Sequence, residues 1–97
     1  MITQFINHIT TIKGGSSYTA TAYRKDLQQF VQFIKQNYPT ARWSTISKDM
    51  IEHFIMTLVA YGELPTTTNR KIAAISSLYR YMATHGKDCQ NPAQYVS

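Results

Sequence analysis

Two stretches of this chain carry residue types that could hold phosphate. In the first, Ser16, Ser17, Thr19 and Thr21 lead into Tyr23-Arg24-Lys25-Asp26-Leu27. In the second, Thr67-Thr68-Asn69-Arg70-Lys71 leads into Ile72-Ala73-Ala74-Ile75 and on to Leu78-Tyr79-Arg80-Tyr81. Each opens with hydroxyl-bearing residues that suit a helix cap and continues with cations near the start of an amphipathic run. Free backbone N–H groups and cationic side chains converge at such a helix start, which suits anionic oxygens.

Other chemistries find little support. His8, His53 and His85 have no metal-ligand spacing and read as surface or half-buried residues. No carboxylate pair is spaced for acid–base work, and neither a glycine-rich phosphate loop nor a nucleophile motif occurs. Asp26 falls at the edge of an apolar helix face, which suits a structural hydrogen-bond partner. Tyr23 and Tyr79 fall on core faces and are expected to pack with their hydroxyls at the surface. The single cysteine, Cys89, excludes an internal disulfide and reads as a reduced thiol. No metal or cofactor is expected.

The elements that position these residues follow from apolar spacing and breakers. Four helices and no strands are predicted. The first covers about residues 2–12, with Ile2, Phe5, Ile6, Ile9 and Ile12 on one side and Lys13-Gly14-Gly15-Ser16 as its stop. Ser16 or Ser17 caps the second, which runs to about Asn37 with Tyr23, Leu27, Phe30, Val31 and Ile34 inward. A loop through Trp43 leads to Ser47, the expected cap of a third helix that buries Ile51, Phe54, Ile55 and Leu58 and stops at Gly62. Pro65 and the threonines at 66–68 open a fourth, with Ile72, Ile75, Leu78, Tyr79 and Met82 as its core stripe and Gly86 as its end. Asn91-Pro92 marks a turn or linker. The expected fold is a single all-α domain over 1–97, a compact four-helix bundle.

Charge separates the faces of these helices. The chain has 97 residues, of which 43% are hydrophobic and 15% charged, with a formal net charge of +5. That excess on so small a surface favours a polyanionic partner, most often nucleic acid. At about 100° per residue, Thr21, Arg24, Lys25, Gln28, Gln32 and Lys35 share one side of the second helix. The same construction lines up Arg70, Ala74, Ser77 and Tyr81 on the fourth, with Ala73 and Arg80 beside them. Neither stripe contains an acid, which points to DNA: Arg and Lys supply attraction, while Thr, Ser, Asn and Gln can bond phosphate oxygens or base edges. The start of the chain lacks the pattern of a signal peptide, and no segment approaches a membrane span, so a cytoplasmic protein is expected. The alternative from another class is a protein–protein interaction module. Self-association of that kind requires an acidic surface to match the basic one, and five scattered acids scarcely provide it. A helix-turn-helix repressor fits poorly, because the loop between Asn37 and Ser47 is too long.

These blocks also carry a resemblance. Ser16 to Thr19, Tyr23-Arg24-Lys25-Asp26-Leu27 with Phe30 and Phe33, Ile46-Ser47-Lys48-Asp49-Met50-Ile51, Thr67-Thr68-Asn69-Arg70-Lys71, Leu78-Tyr79, Gly86 and Asn91-Pro92-Ala93 stand in the order and spacing of one family. The chain resembles the N-terminal, SAM-like core-binding domain of tyrosine recombinases, the Xer-type and phage-integrase family. Two departures stand out. Leu64 sits where many members have a serine that caps the fourth helix, so Thr66 or Thr67 is expected to take that role. Leu78 replaces a common Phe.

The resemblance implies half of a C-shaped clamp around duplex DNA, with the second and fourth helices lying across it. The catalytic tyrosine and its pocket would belong to a longer C-terminal domain, absent from this sequence, so the chain itself is expected to bind DNA and catalyse nothing. Carried over residue by residue, the expected contacts are Thr19, Thr21, Arg24, Lys25 and Gln28, then Thr67, Asn69, Arg70, Lys71, Ser77 and Arg80. Arg24, Lys25, Arg70 and Lys71 are expected to neutralise phosphates, and Gln28 and Ser77 to read bases. The other partners implied are the catalytic domain and neighbouring recombinase protomers on DNA. Ile2, Phe5 and Ile6 could meet such a neighbour, though core burial is the preferred reading.

Overall fold

The computed structural model describes residues 2–11, 17–84 and Pro92. Four helices account for most of them: α1 (Ile2–Thr11), α2 (Ser17–Asn37), α3 (Lys48–Ala60) and α4 (Pro65–Thr84). Their order and approximate bounds are those read from the sequence. The expected stop of α1, together with His85, Gly86, Cys89 and Asn91, lies outside the described residues.

Apolar positions dictate how the helices meet. Leu27, Phe30 and Ile34 recur at helical spacing on α2 and are buried, as are Ile51, Phe54 and Leu58 on α3. From α4 come Ile75, Leu78, Tyr79 and Met82, and from α1 Phe5 and Ile6. Core burial is therefore the fate of Phe5 and Ile6, while Ile2 is half-buried against the same core. Between α2 and α3 the contact is aromatic: Phe54 meets Phe30 edge-on at 5.2 Å and Phe33 at 5.3 Å. His53 stands beside Phe33, and its Nδ1 lies 2.8 Å from the Tyr38 hydroxyl.

Local chemistry fixes the ends of α3. Ser47 is extended (φ −107°, ψ 167°), and its hydroxyl accepts from the Met50 N–H at 3.3 Å, as expected of an N-cap. At the other end Gly62 takes φ +90°. The Glu63 N–H reaches the Leu58 carbonyl at 3.1 Å and the Gly62 N–H reaches Val59 at 2.9 Å, the Schellman arrangement that a left-handed residue permits.

The structure corrects two expectations about these elements. Pro65 opens α4, so Leu64 occupies the cap position itself and Thr66 and Thr67 lie inside the first turn. The Leu64 carbonyl accepts from the Thr67 and Thr68 N–H groups at 3.0 and 3.1 Å, and the Thr68 hydroxyl donates back to the Pro65 carbonyl. Proline has no N–H to satisfy, which lessens the need for a side-chain cap. Tyr79 also differs from expectation. It is 1% exposed, and its hydroxyl points inward to donate to the Trp43 carbonyl at 2.6 Å.

Candidate nucleic-acid interface

The outer side of α2 carries the stripe the sequence implied. Thr21, Arg24, Lys25, Gln28, Gln32 and Lys35 are all exposed. Arg24, Lys25 and Lys35 join no ion pair among the described residues. Asp26, the one acid of α2, is turned away from this stripe and is 4% exposed. Thr19 lies in the first turn of α2, described in its backbone only.

On α4 the wheel is rotated relative to the line drawn from sequence. Ala74 is fully buried, and Tyr81 is half-buried against Phe5 and His8 at 5.7 and 4.9 Å. The buried arc is centred on Lys71, Ile75, Leu78 and Met82, and it takes in Thr68 and Ala74 while leaving Ile72 half-buried. The solvent line therefore runs through Thr66, Asn69, Ala73 and Arg80. Thr67 and Ser77 flank it, each half-buried, and Arg80 reaches the Ser76 hydroxyl at 3.4 Å.

Arg70 and Lys71 have intramolecular partners. Arg70 donates from Nε and Nη2 to both Asp26 carboxylate oxygens, at 2.9 and 3.0 Å, in a fork-on-fork pair that joins α4 to α2. Its side chain keeps 40% exposure, so the guanidinium sits at the boundary between core and surface. Lys71 lies deeper. Its side chain is 7% exposed, and Nζ donates to Glu63 Oε2 at 2.8 Å. The other carboxylate oxygen, Glu63 Oε1, is buried with no hydrogen-bond partner among the described residues.

Neither pair is legible in spacing alone. Asp26 reads from sequence as a structural partner, with no cation assigned to it. The signal was present: an inward carboxylate on α2 requires a cation from a neighbouring helix. Lys71 gave less warning, because only the rotation of the α4 wheel turns it inward. Among the described residues, no group of His, Cys, Asp and Glu could hold a metal ion. No helix among them is long and apolar enough to cross a membrane.

An acid-free basic helix face beside a second helix presenting amide, hydroxyl and guanidinium groups can neutralise and hydrogen-bond a polyanion. Comparison with known proteins narrows this. Residues 2–86 match the family model described as "Phage integrase, N-terminal SAM-like domain". The chain belongs to that family. A tyrosine recombinase XerC from Thermodesulfovibrio yellowstonii is 35% identical over 99% of this chain and 30% of its own length. Another, from Herpetosiphon aurantiacus, is 34% identical over 94% of this chain and 29% of its own. A tyrosine recombinase XerD from Oceanobacillus iheyensis is 26% identical over 98% and 32%. The chain thus spans about a third of the length of these relatives. No solved structure matches it. The SAM-like match takes in all four helices, so both pairs from Arg70 and Lys71 and the α2 stripe lie within it.

Proposed function

We propose that this SAM-like domain binds duplex DNA as the N-terminal half of a tyrosine recombinase clamp. The observation that carries the reading is the exposed, acid-free stripe of α2, whose cations join no ion pair among the described residues. Arg24 and Lys25 neutralise phosphates, Thr19 and Thr21 bond phosphate oxygens at the head of the helix, and Gln28 reads a base edge. From α4, Thr67, Asn69, Ser77 and Arg80 complete the face, and Arg70 reaches it from its pair with Asp26. Lys71 belongs beneath the face, supporting α4 through Glu63. The strand-cleaving tyrosine and its pocket reside in a further C-terminal domain of the recombinase, and neighbouring protomers assemble with it on DNA in the cytoplasm. The domain itself needs no cofactor for this role.

Fluorescence anisotropy of a labelled duplex of about one and a half to two turns, titrated at two salt concentrations, tests the proposal. Affinity should fall steeply with salt. Replacing Arg24 and Lys25 together by Ala should shallow the slope of log K against log salt by up to about two units, with the melting temperature unchanged. A folded double variant with the parent's slope and affinity would remove α2 from the interface.

A further inference from the structure

A recess adjoins the C-terminal end of the α2 stripe and shares Lys35 with it. It measures about 290 Å³ and sits between the C-terminal half of α2 and the loop joining α2 to α3. Phe30 and Ile34 form its floor, and Ala41 and Trp43 its wall. Lys35 and Arg42 line the same recess, both exposed and neither in an ion pair among the described residues. No acid is among its lining residues.

The wall is formed in advance. Tyr79 fixes Trp43 from the core side through its hydroxyl and through edge-on ring contact at 6.0 Å. The Arg42 N–H donates to Thr45 Oγ1 at 2.8 Å, and the Ile46 N–H to the Arg42 carbonyl at 3.0 Å. A ligand entering such a recess orders little backbone on arrival, which lowers the cost of binding.

We infer that this recess docks an acidic segment of a partner protein, which inserts one aliphatic or aromatic side chain between Lys35 and Arg42. The apolar floor and wall call for a carbon-rich group, and the two cations call for carboxylates beside it. Duplex DNA supplies the charge but no protruding apolar group. A second copy of this chain fits less well: its exposed large hydrophobics among the described residues, Met56, Val59, Tyr61 and Leu64, lie towards the end of α3 and the turn after it, where Glu52 and Glu63 are already engaged with Lys48 and Lys71. The site shares Lys35 with the α2 stripe, but its apolar floor, its wall and Arg42 are not among the proposed DNA contacts, so it does not depend on that reading.

Trp43 is the only tryptophan in the chain, so the site reports its own occupancy. The probe is a short acetylated peptide with a central leucine flanked on each side by glutamates. Titration should give a saturable change in Trp43 emission. Charge reversal of Lys35→Glu with Arg42→Glu should weaken binding about tenfold or more, as should a serine in place of the central leucine. Far-UV circular dichroism checks that the variant is folded. An unsaturable Trp43 signal, or equal binding of the serine peptide or of one with glutamine for glutamate, would overturn the inference. So would a charge-reversed variant that loses affinity for duplex DNA while holding the peptide as before.

Discussion

Arg70 and Lys71 are neighbours in sequence, and the fold treats them differently. Arg70 stays at the boundary, where Asp26 holds two of its N–H groups in a planar fork. Lysine could not reproduce that fork, having a point charge in place of a rigid pair of donors. Removing Arg70 leaves the Asp26 carboxylate buried without its cation, so Arg70→Ala should cost about 3 kcal/mol in urea unfolding. A loss below about 1 kcal/mol, the scale of a surface pair, would show that the pair does little for the fold. Lys71 and Glu63 form the more expensive arrangement, because Oε1 of Glu63 is buried without a partner among the described residues. Lys71→Ala should destabilise by a similar amount. The apolar double variant Lys71→Met with Glu63→Leu should recover most of that loss and keep the salt slope of DNA binding. A shallower slope in the folded double variant would return Lys71 to the phosphate contacts.

The helices show how much of this arrangement could be read from residue spacing. On α2, apolar positions repeat cleanly at Leu27, Phe30 and Ile34, and the opposite stripe emerged from sequence as the fold has it. On α4, alanines, serines and threonines fill much of the helix, so hydrophobicity alone does not locate the centre of the buried side. The choice between Ala73 and Ala74 as the outward alanine is made by packing against α1 and α2, not by chemistry visible along the chain. Caps were legible where a side chain does the work, as at Ser47, and illegible where the backbone does it, as at Leu64. Gly62 is a further case of local necessity. A Cβ there would meet nothing within 4 Å, so the cost of Gly62→Ala comes from the positive φ alone. That cost is about 1 kcal/mol, and it should lower the melting temperature by roughly 4–8 °C in a domain of this size. An unchanged melting temperature would mean that α3 can end without its left-handed residue.

At the scale of the whole molecule, the helices sort charge by depth. Asp26 and Glu63 are drawn inward or half-inward to meet Arg70 and Lys71, and Glu52 pairs with Lys48 along α3. Asp26, the one acid of α2, is thereby kept off the side of that helix that presents Arg24 and Lys25. Apolar exposure is also localised. Met56, Val59, Tyr61 and Leu64 are the exposed large hydrophobics among the described residues, on the C-terminal half of α3 and the turn that follows it. The burial of Lys71 has a practical consequence for bench chemistry. An amine-reactive reagent should label Lys25, Lys35 and Lys48 on the native protein while Lys71 stays intact, and trypsin should likewise spare the bond after it. Lys71 reacts only when α4 leaves the bundle, which makes this one amine a built-in clock for opening of the fold.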